Sequence, residues 1–167
     1  DVSNQFPQKK EGAIRYDEPY AIEVTGLTNR YVHDINLKVH KGEILGLAGI
    51  VGAGRSEVLK SIFGAYHNNM GEIKVDGNPV KIKNPKSALA SGISFLSEDR
   101  KKDMLILMDS IKTNYILPYF KDFAKPLFVN NKAVEAATQK TISQFNIKTT
   151  SSEKLVVQLS GGNQQKV

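Results

Sequence analysis

Eight consecutive residues, Gly49-Ile50-Val51-Gly52-Ala53-Gly54-Arg55-Ser56, are of the types and at the spacing that cradle a phosphate. Glycines let successive backbone N–H groups turn inward around phosphate oxygens, and a helix starting where the loop ends adds partial positive charge. The basic side chain then reaches the terminal phosphates, and the Ser56 hydroxyl is placed to ligate Mg²⁺. The general pattern carries lysine where this chain has Arg55. Lysine delivers a compact point charge and arginine a wider planar fork, so the two are not interchangeable in a tight cradle. The loop is compatible with nucleotide binding but departs from ordinary hydrolytic geometry. The candidate nucleotide contacts are Gly49, Val51, Gly52, Ala53, Gly54, Arg55, Ser56 and Glu57; the carboxylate of Glu57 also suits the start of a helix. The competing reading is a tight strand-to-helix turn that holds no ligand.

Near the other end stands Leu159-Ser160-Gly161-Gly162-Asn163-Gln164-Gln165. A serine hydroxyl and two glycine N–H groups at a helix start make a second anion-binding nest.

Together the two runs resemble the phosphate loop and signature motif of ABC-type ATPases. The Asn-Gln-Gln extension is similar to that of sugar-importer ATPases. Val39-His40-Lys41-Gly42-Glu43-Ile44-Leu45-Gly46 is similar to the family's strand entering the loop. Glu98-Asp99-Arg100-Lys101 resembles the second nucleotide-binding domain of tandem monosaccharide importers of the ribose and galactose/methylgalactoside type, with Glu98 where the family's Q-loop has glutamine. The resemblance implies ATP and Mg as ligands. It also implies that Ser160, Gly161, Gly162 and Gln164 contact the γ-phosphate of ATP held by a partner domain. Partners would be a second nucleotide-binding domain, transmembrane permease subunits and, indirectly, a sugar-binding protein outside the membrane. The implied location is the cytoplasmic face of the cell membrane. The Walker-B run with its Asp and catalytic Glu has no counterpart here, so no catalytic residue is assigned and the isolated chain is expected to be inactive as an ATPase. Arg55 and Glu98 suggest a degenerate or regulatory second site. Tyr31 is either the base-stacking aromatic or a packing residue. Glu98 either contacts metal or water or is a solvated carboxylate, and Arg100, Lys101 and Lys102 either face the permease or are solvated charges.

The elements that must position these motifs read as an α/β fold: an incomplete ABC-type P-loop domain with an antiparallel β subdomain and a helical subdomain. Residues 1–19 lack periodicity and read as a linker or extended arm; residues 20–167 form the partial domain, with the helical region over about 101–167. Alternation predicts half-buried strands at 21–24 and 35–39. The run 44–48, apolar on both faces, predicts a buried central strand. A helix is expected from Ser56 to Tyr66, with Val58, Leu59, Ile62 and Phe63 on one stripe. A strand at 71–77 ends in an Asp-Gly turn, a short helix covers 87–91 and a strand 93–96. Beyond them come a helix from Asp109 toward Pro118, irregular chain over 121–130, and a helix over 131–146 capped by Asn131.

Composition excludes several classes. There is no cysteine, hence no disulfide or thiolate metal site, and the three histidines lack a second ligand at metal spacing. The net charge of +6 is spread along the chain, which favours solubility over nucleic acid as its meaning. No apolar stretch is long enough to cross a bilayer, and the opening Asp-Val-Ser-Asn-Gln has no signal-peptide character. A chain that opens without Met and stops directly after a motif is expected of an excised fragment. Two other classes compete with the importer reading. A soluble P-loop nucleotide kinase or GTPase would need an accidental second nest, and a structural module would bind nothing.

Overall fold

The computed structural model describes residues 14–125 and 128–167. The chain divides into two compact units between Phe95 and Leu96.

The first unit is built on a four-stranded antiparallel sheet of order β2-β1-β3-β4, with β1 Ile22–Thr28, β2 Ile35–Val39, β3 Met70–Val75 and β4 Asn78–Val80. Val24, Leu27 and Ile73 are buried together against Ile62 of helix α1 (Arg55–Ile62); Val24 and Leu27, three residues apart, share this core because the pairing of β1 shifts between them. Val58, one turn earlier, joins the same core. The expected helix to Tyr66 stops sooner because Gly64 takes a left-handed φ of 74°, and a Cβ there would lie 2.7 Å from Ile82. Asp76 and Gly77, both at positive φ, make the two-residue hairpin that joins β3 to β4. Helix α2 (Pro85–Ala90) begins with a reciprocal cap between Asn84 and Ser87. Of the expected arm, residues 1–13 lie outside the described residues. Residues 14–19 dock on the sheet: the Arg15 N–H donates to the Lys41 carbonyl at 3.0 Å, and the Lys41 ammonium pairs with Glu18 and Asp76.

Two expected strands are corrected. Residues 43–50 belong to no ladder among the described residues, and Ile44 (97%) and Val51 (94%) are exposed. Residues 93–96 likewise join no sheet. A strand needs neighbours for its N–H and C=O groups; an apolar run alone does not provide them.

The second unit is helical: α3 Arg100–Asp103, α4 Ile111–Ile116, α5 Phe120–Phe123, α6 Asn131–Gln144 and α7 Gly161–Gln164. The stretch expected to be irregular holds α5 and the two-residue strands β5 Ala124–Lys125 and β6 Phe128–Val129; residues 126 and 127 lie outside the described residues. Helix α6 is capped by Asn130, one residue before the expected position, its side chain accepting from Ala133 N. Ile111, Val156 and Leu159 are buried together, with Leu105, Leu107 and Ile142 packed around them. Hydrogen bonds from Ile111 N to Lys154 O and from Val156 N to Asp109 O tie the chain before α7 to the start of α4.

Candidate functional site

In the first unit the glycine loop has the backbone that its sequence requires. Gly52 and Gly54 both adopt φ 83°, a left-handed conformation that strains any side chain. At Gly49 the constraint is space, because a Cβ would lie 2.8 Å from that of Ala53. Gly54 caps α1, whose first helical bond runs from Val58 N to Gly54 O. The N–H groups of Arg55, Ser56 and Glu57 therefore precede the ladder, at the positive end of the helix. Arg55 is exposed, whereas Ser56 and Glu57 are half-buried. One loop amide is committed internally: Ala53 N donates to Ile50 O at 3.1 Å. A phosphate taking the Ala53 N–H must open that bond.

Tyr31, the candidate base platform, packs within its own unit. Its ring lies 4.2 Å from that of Tyr66, and the Arg30 guanidinium sits 4.5 Å from its centroid. The arrangement hangs on Asn29, which sequence reasoning passed over. The buried Asn29 carboxamide accepts from Tyr31 N and Val32 N and donates to Ser61 Oγ and Asn68 Oδ1. A small polar residue two positions before an aromatic is too common a pattern to mark such a hub in advance.

In the second unit Ser160, Gly161 and Gly162 are exposed at the first turn of α7. The Ser160 Oγ accepts from Asn163 Nδ2 at 2.9 Å, and the Asn163 Oδ1 accepts from Lys148 N, so the asparagine braces the turn. Gln164 corrects an expectation. It is 6% exposed and donates from Nε2 to the Val156 carbonyl, which turns it into the core and away from the exposed face. Helical periodicity alone would place Gln164 beside the exposed Ser160, four residues earlier; its burial follows instead from its contact with Val156. Glu98 is exposed. It precedes a tied turn in which Asp99 caps Lys102 N and Ser97 Oγ donates to Asp103. Arg100 is half-buried, with its outer nitrogen against Gly161; the reading of the whole basic run as solvated fails at this residue.

Among the described residues no group of His, Asp and Glu is arranged to hold a metal by itself, and no helix is long and apolar enough to cross a membrane.

A glycine loop opening a helix on an antiparallel sheet, with a separate helical unit carrying a glycine turn, defines the ATP-binding cassette fold. The chain belongs to the ABC transporter family, whose model matches residues 32–167. It is 43% identical over 166 residues to a ribose import ATP-binding protein of Lactococcus lactis, covering 99% of this chain and 33% of that protein. A protein of the same description from Lacticaseibacillus paracasei is 43% identical over 150 residues, or 89% of this chain and 30% of its own length. A putative ribose/galactose/methyl galactoside import ATP-binding protein of Rhizobium etli is 41% identical over 99% of this chain and 31% of its own length. The chain thus spans about a third of the length of these relatives. Among solved structures, a dimeric ATP-binding cassette bound to ADP and Pi aligns with TM-score 0.66 at 17% identity, covering 87% of this chain and 66% of that one. A Clostridium perfringens component of an ABC transporter complex aligns with TM-score 0.62 at 16% identity, over 89% and 59%. At these identities the structures speak to the fold.

Proposed function

We propose that this chain is the ATP-binding part of a carbohydrate importer, coupling nucleotide binding to monosaccharide uptake. The observation that carries the proposal is the glycine loop, left-handed at Gly52 and Gly54 and opening directly into α1, in a chain about 40% identical to ribose import ATP-binding proteins. Gly49, Val51, Gly52, Ala53 and Gly54 form the cradle, Arg55 reaches the outer phosphates, Glu57 completes the first helical turn, and Ser56 holds Mg²⁺. The loop fits such a ligand, since its glycines leave the backbone bare and the helix start aims N–H groups along the axis. Magnesium ATP, when bound, supplies the phosphoanhydride whose cleavage drives transport. Ser160, Gly161 and Gly162 receive the terminal phosphate of ATP bound to a second nucleotide-binding domain, and Gln164 supports that turn from beneath.

Arg55 in place of lysine and Glu98 in place of glutamine support a degenerate or regulatory second site. In this reading the second unit is the helical subdomain, and the partners are a second nucleotide-binding domain and permease subunits at the cytoplasmic face of the membrane. A sugar-binding protein acts on the far side.

Titration with Mg-ATP and Mg-GTP during thermal unfolding tests the reading, because only a ligand that binds the native state raises the midpoint. ATP at about a hundred times its Kd stabilises by about 2.7 kcal/mol. A response to GTP alone supports a soluble P-loop enzyme instead, and a response to neither removes the nucleotide from the proposal.

A further inference from the structure

The Ser160 hydroxyl is not engaged as a serine before a helix usually is. Such a hydroxyl accepts from a backbone N–H of the first turn, as Ser110 does from Thr113 N before α4. Ser160 makes no such bond. Its Oγ is taken instead by a side chain of that turn, Asn163 Nδ2, at 2.9 Å. The other end of this carboxamide is fixed from the end of α6. There Asn146 turns the chain at φ 50°, and Ile147 is buried with its N–H on the Ile142 carbonyl. Lys148 N then donates to Asn163 Oδ1 at 2.9 Å. A backbone N–H can only donate, so the atom facing Lys148 is the oxygen and the group facing Ser160 is the NH2. Toward Asn163 the serine Oγ is therefore an acceptor, and its proton must point elsewhere. Among the described residues no hydrogen bond takes that proton, and Ser160 is exposed.

We propose that Asn163 is a positioning residue that sets the direction of the Ser160 hydroxyl, holding its proton outward as a donor to an oxyanion. The inference rests on the nucleotide reading given above, in which Ser160 meets a terminal phosphate; it concerns how the hydroxyl is prepared for that contact. A free hydroxyl on an exposed turn samples several staggered orientations. The relay from Lys148 through Asn163 removes those in which the proton faces back into the turn. A donor oriented in advance needs no reordering when the ligand arrives.

Calorimetric titration of the full-length protein with ATP and ADP tests this on wild type, Asn163→Asp, Asn163→Leu, Ser160→Ala and the Asn163→Leu/Ser160→Ala double variant. Circular-dichroism melts establish that each folds. Asn163→Asp keeps the size and the bond from Lys148 N but accepts from the Ser160 hydroxyl, which turns the proton inward. It is expected to weaken ATP about tenfold or more. Asn163→Leu releases the hydroxyl without adding charge, and is expected to weaken ATP about three- to tenfold. ADP lacks the terminal phosphate and should bind both single variants as it binds wild type. Once Ser160→Ala has removed the hydroxyl, Asn163→Leu should weaken ATP no further. An equal loss from Asn163→Leu with and without the hydroxyl overturns the proposal, because it marks a residue that shapes the turn and not the proton. Unchanged ATP affinity in both Asn163 variants overturns it as well. Wild type that binds ATP but is indifferent to Ser160→Ala removes the role of Ser160, and wild type that binds no ATP removes the nucleotide reading. Each of these also takes the proposal with it, and each is distinct from a failure at Asn163 alone.

Discussion

Two side chains carry consequences at the scale of single residues. Asn29 satisfies two backbone N–H groups and two side-chain partners from a buried position. Truncation strands several of these groups at once, and unsatisfied buried polar groups cost about 1–3 kcal/mol each. Asn29→Ala is therefore expected to lose about 2–4 kcal/mol in urea unfolding and to loosen the Tyr31–Tyr66 contact, visible as a change in tyrosine fluorescence. A loss below about 0.5 kcal/mol would place this hub among the ordinary surface positions. Glu18 yields a prediction in pH. Hydrogen bonds from Lys41 first, then Arg15, hold its carboxyl below the usual 4.5, while Glu18 and Asp76 hold the Lys41 ammonium above its usual 10.5. A lowered acid contributes above its unfolded value and loses that contribution as pH falls through its folded one. A raised base contributes below its unfolded value and loses it as pH climbs through its folded one. Glu18→Gln should accordingly melt lower than wild type across about pH 5–10, with the gap closing at either extreme. Because these groups are only partly buried and still open to solvent, the gap should also shrink in high salt.

Among the elements, the sheet shows where sequence was a good guide and where it was silent. Strands β1, β2 and β3 were legible because alternation and an Asp-Gly turn act locally. The irregularity between Thr25 and Thr28, where the pairing of β1 with β3 shifts, left no pattern to read. It lies in β1 at Gly26 and Leu27, with Gly26 at φ 62°, and the pairing with β2 shifts there too; opposite stands Gly71, at φ 105°, where a Cβ would lie 2.5 Å from the Leu27 backbone. Gly71→Ala should cost roughly 2–4 kcal/mol, through both the forbidden φ and the clash with a buried strand. A melting scan that finds the variant as stable as wild type would show that the shifted pairing is not maintained. The site divides in the same way. The glycine loop was read correctly as a turn into a helix, since Gly52 and Gly54 do take left-handed conformations. The inward turn of Gln164 and the seating of Arg100 on Gly161 depend on contacts across the second unit, and residue type and spacing do not encode them. The run 44–48 failed for another reason: its apolar character was plain, but a ladder needs partner strands, which one segment's pattern cannot supply.

For the whole molecule, that run has a consequence. Ile44 and Val51 are almost fully exposed, and the chain between them lies outside any described sheet. An apolar segment left outside a sheet is open to pairing with strands from other molecules, and exposed apolar surface of this extent marks a contact or an aggregation hazard. The 167-residue chain is therefore expected to self-associate as its concentration rises, with light scattering and dye binding increasing together. Ile44→Lys should reduce both, because charge on an unpaired segment opposes edge-to-edge pairing. Its effect on the melting midpoint should correspond to no more than about 0.5 kcal/mol, as for other surface substitutions. The two measurements separate the causes. Scattering that persists in Ile44→Lys moves the sticky surface elsewhere, with the exposed Phe128 and Met108 next to examine. A large drop in midpoint would mean that Ile44 is buried in the folded chain, so that 44–48 forms the central strand its sequence suggests.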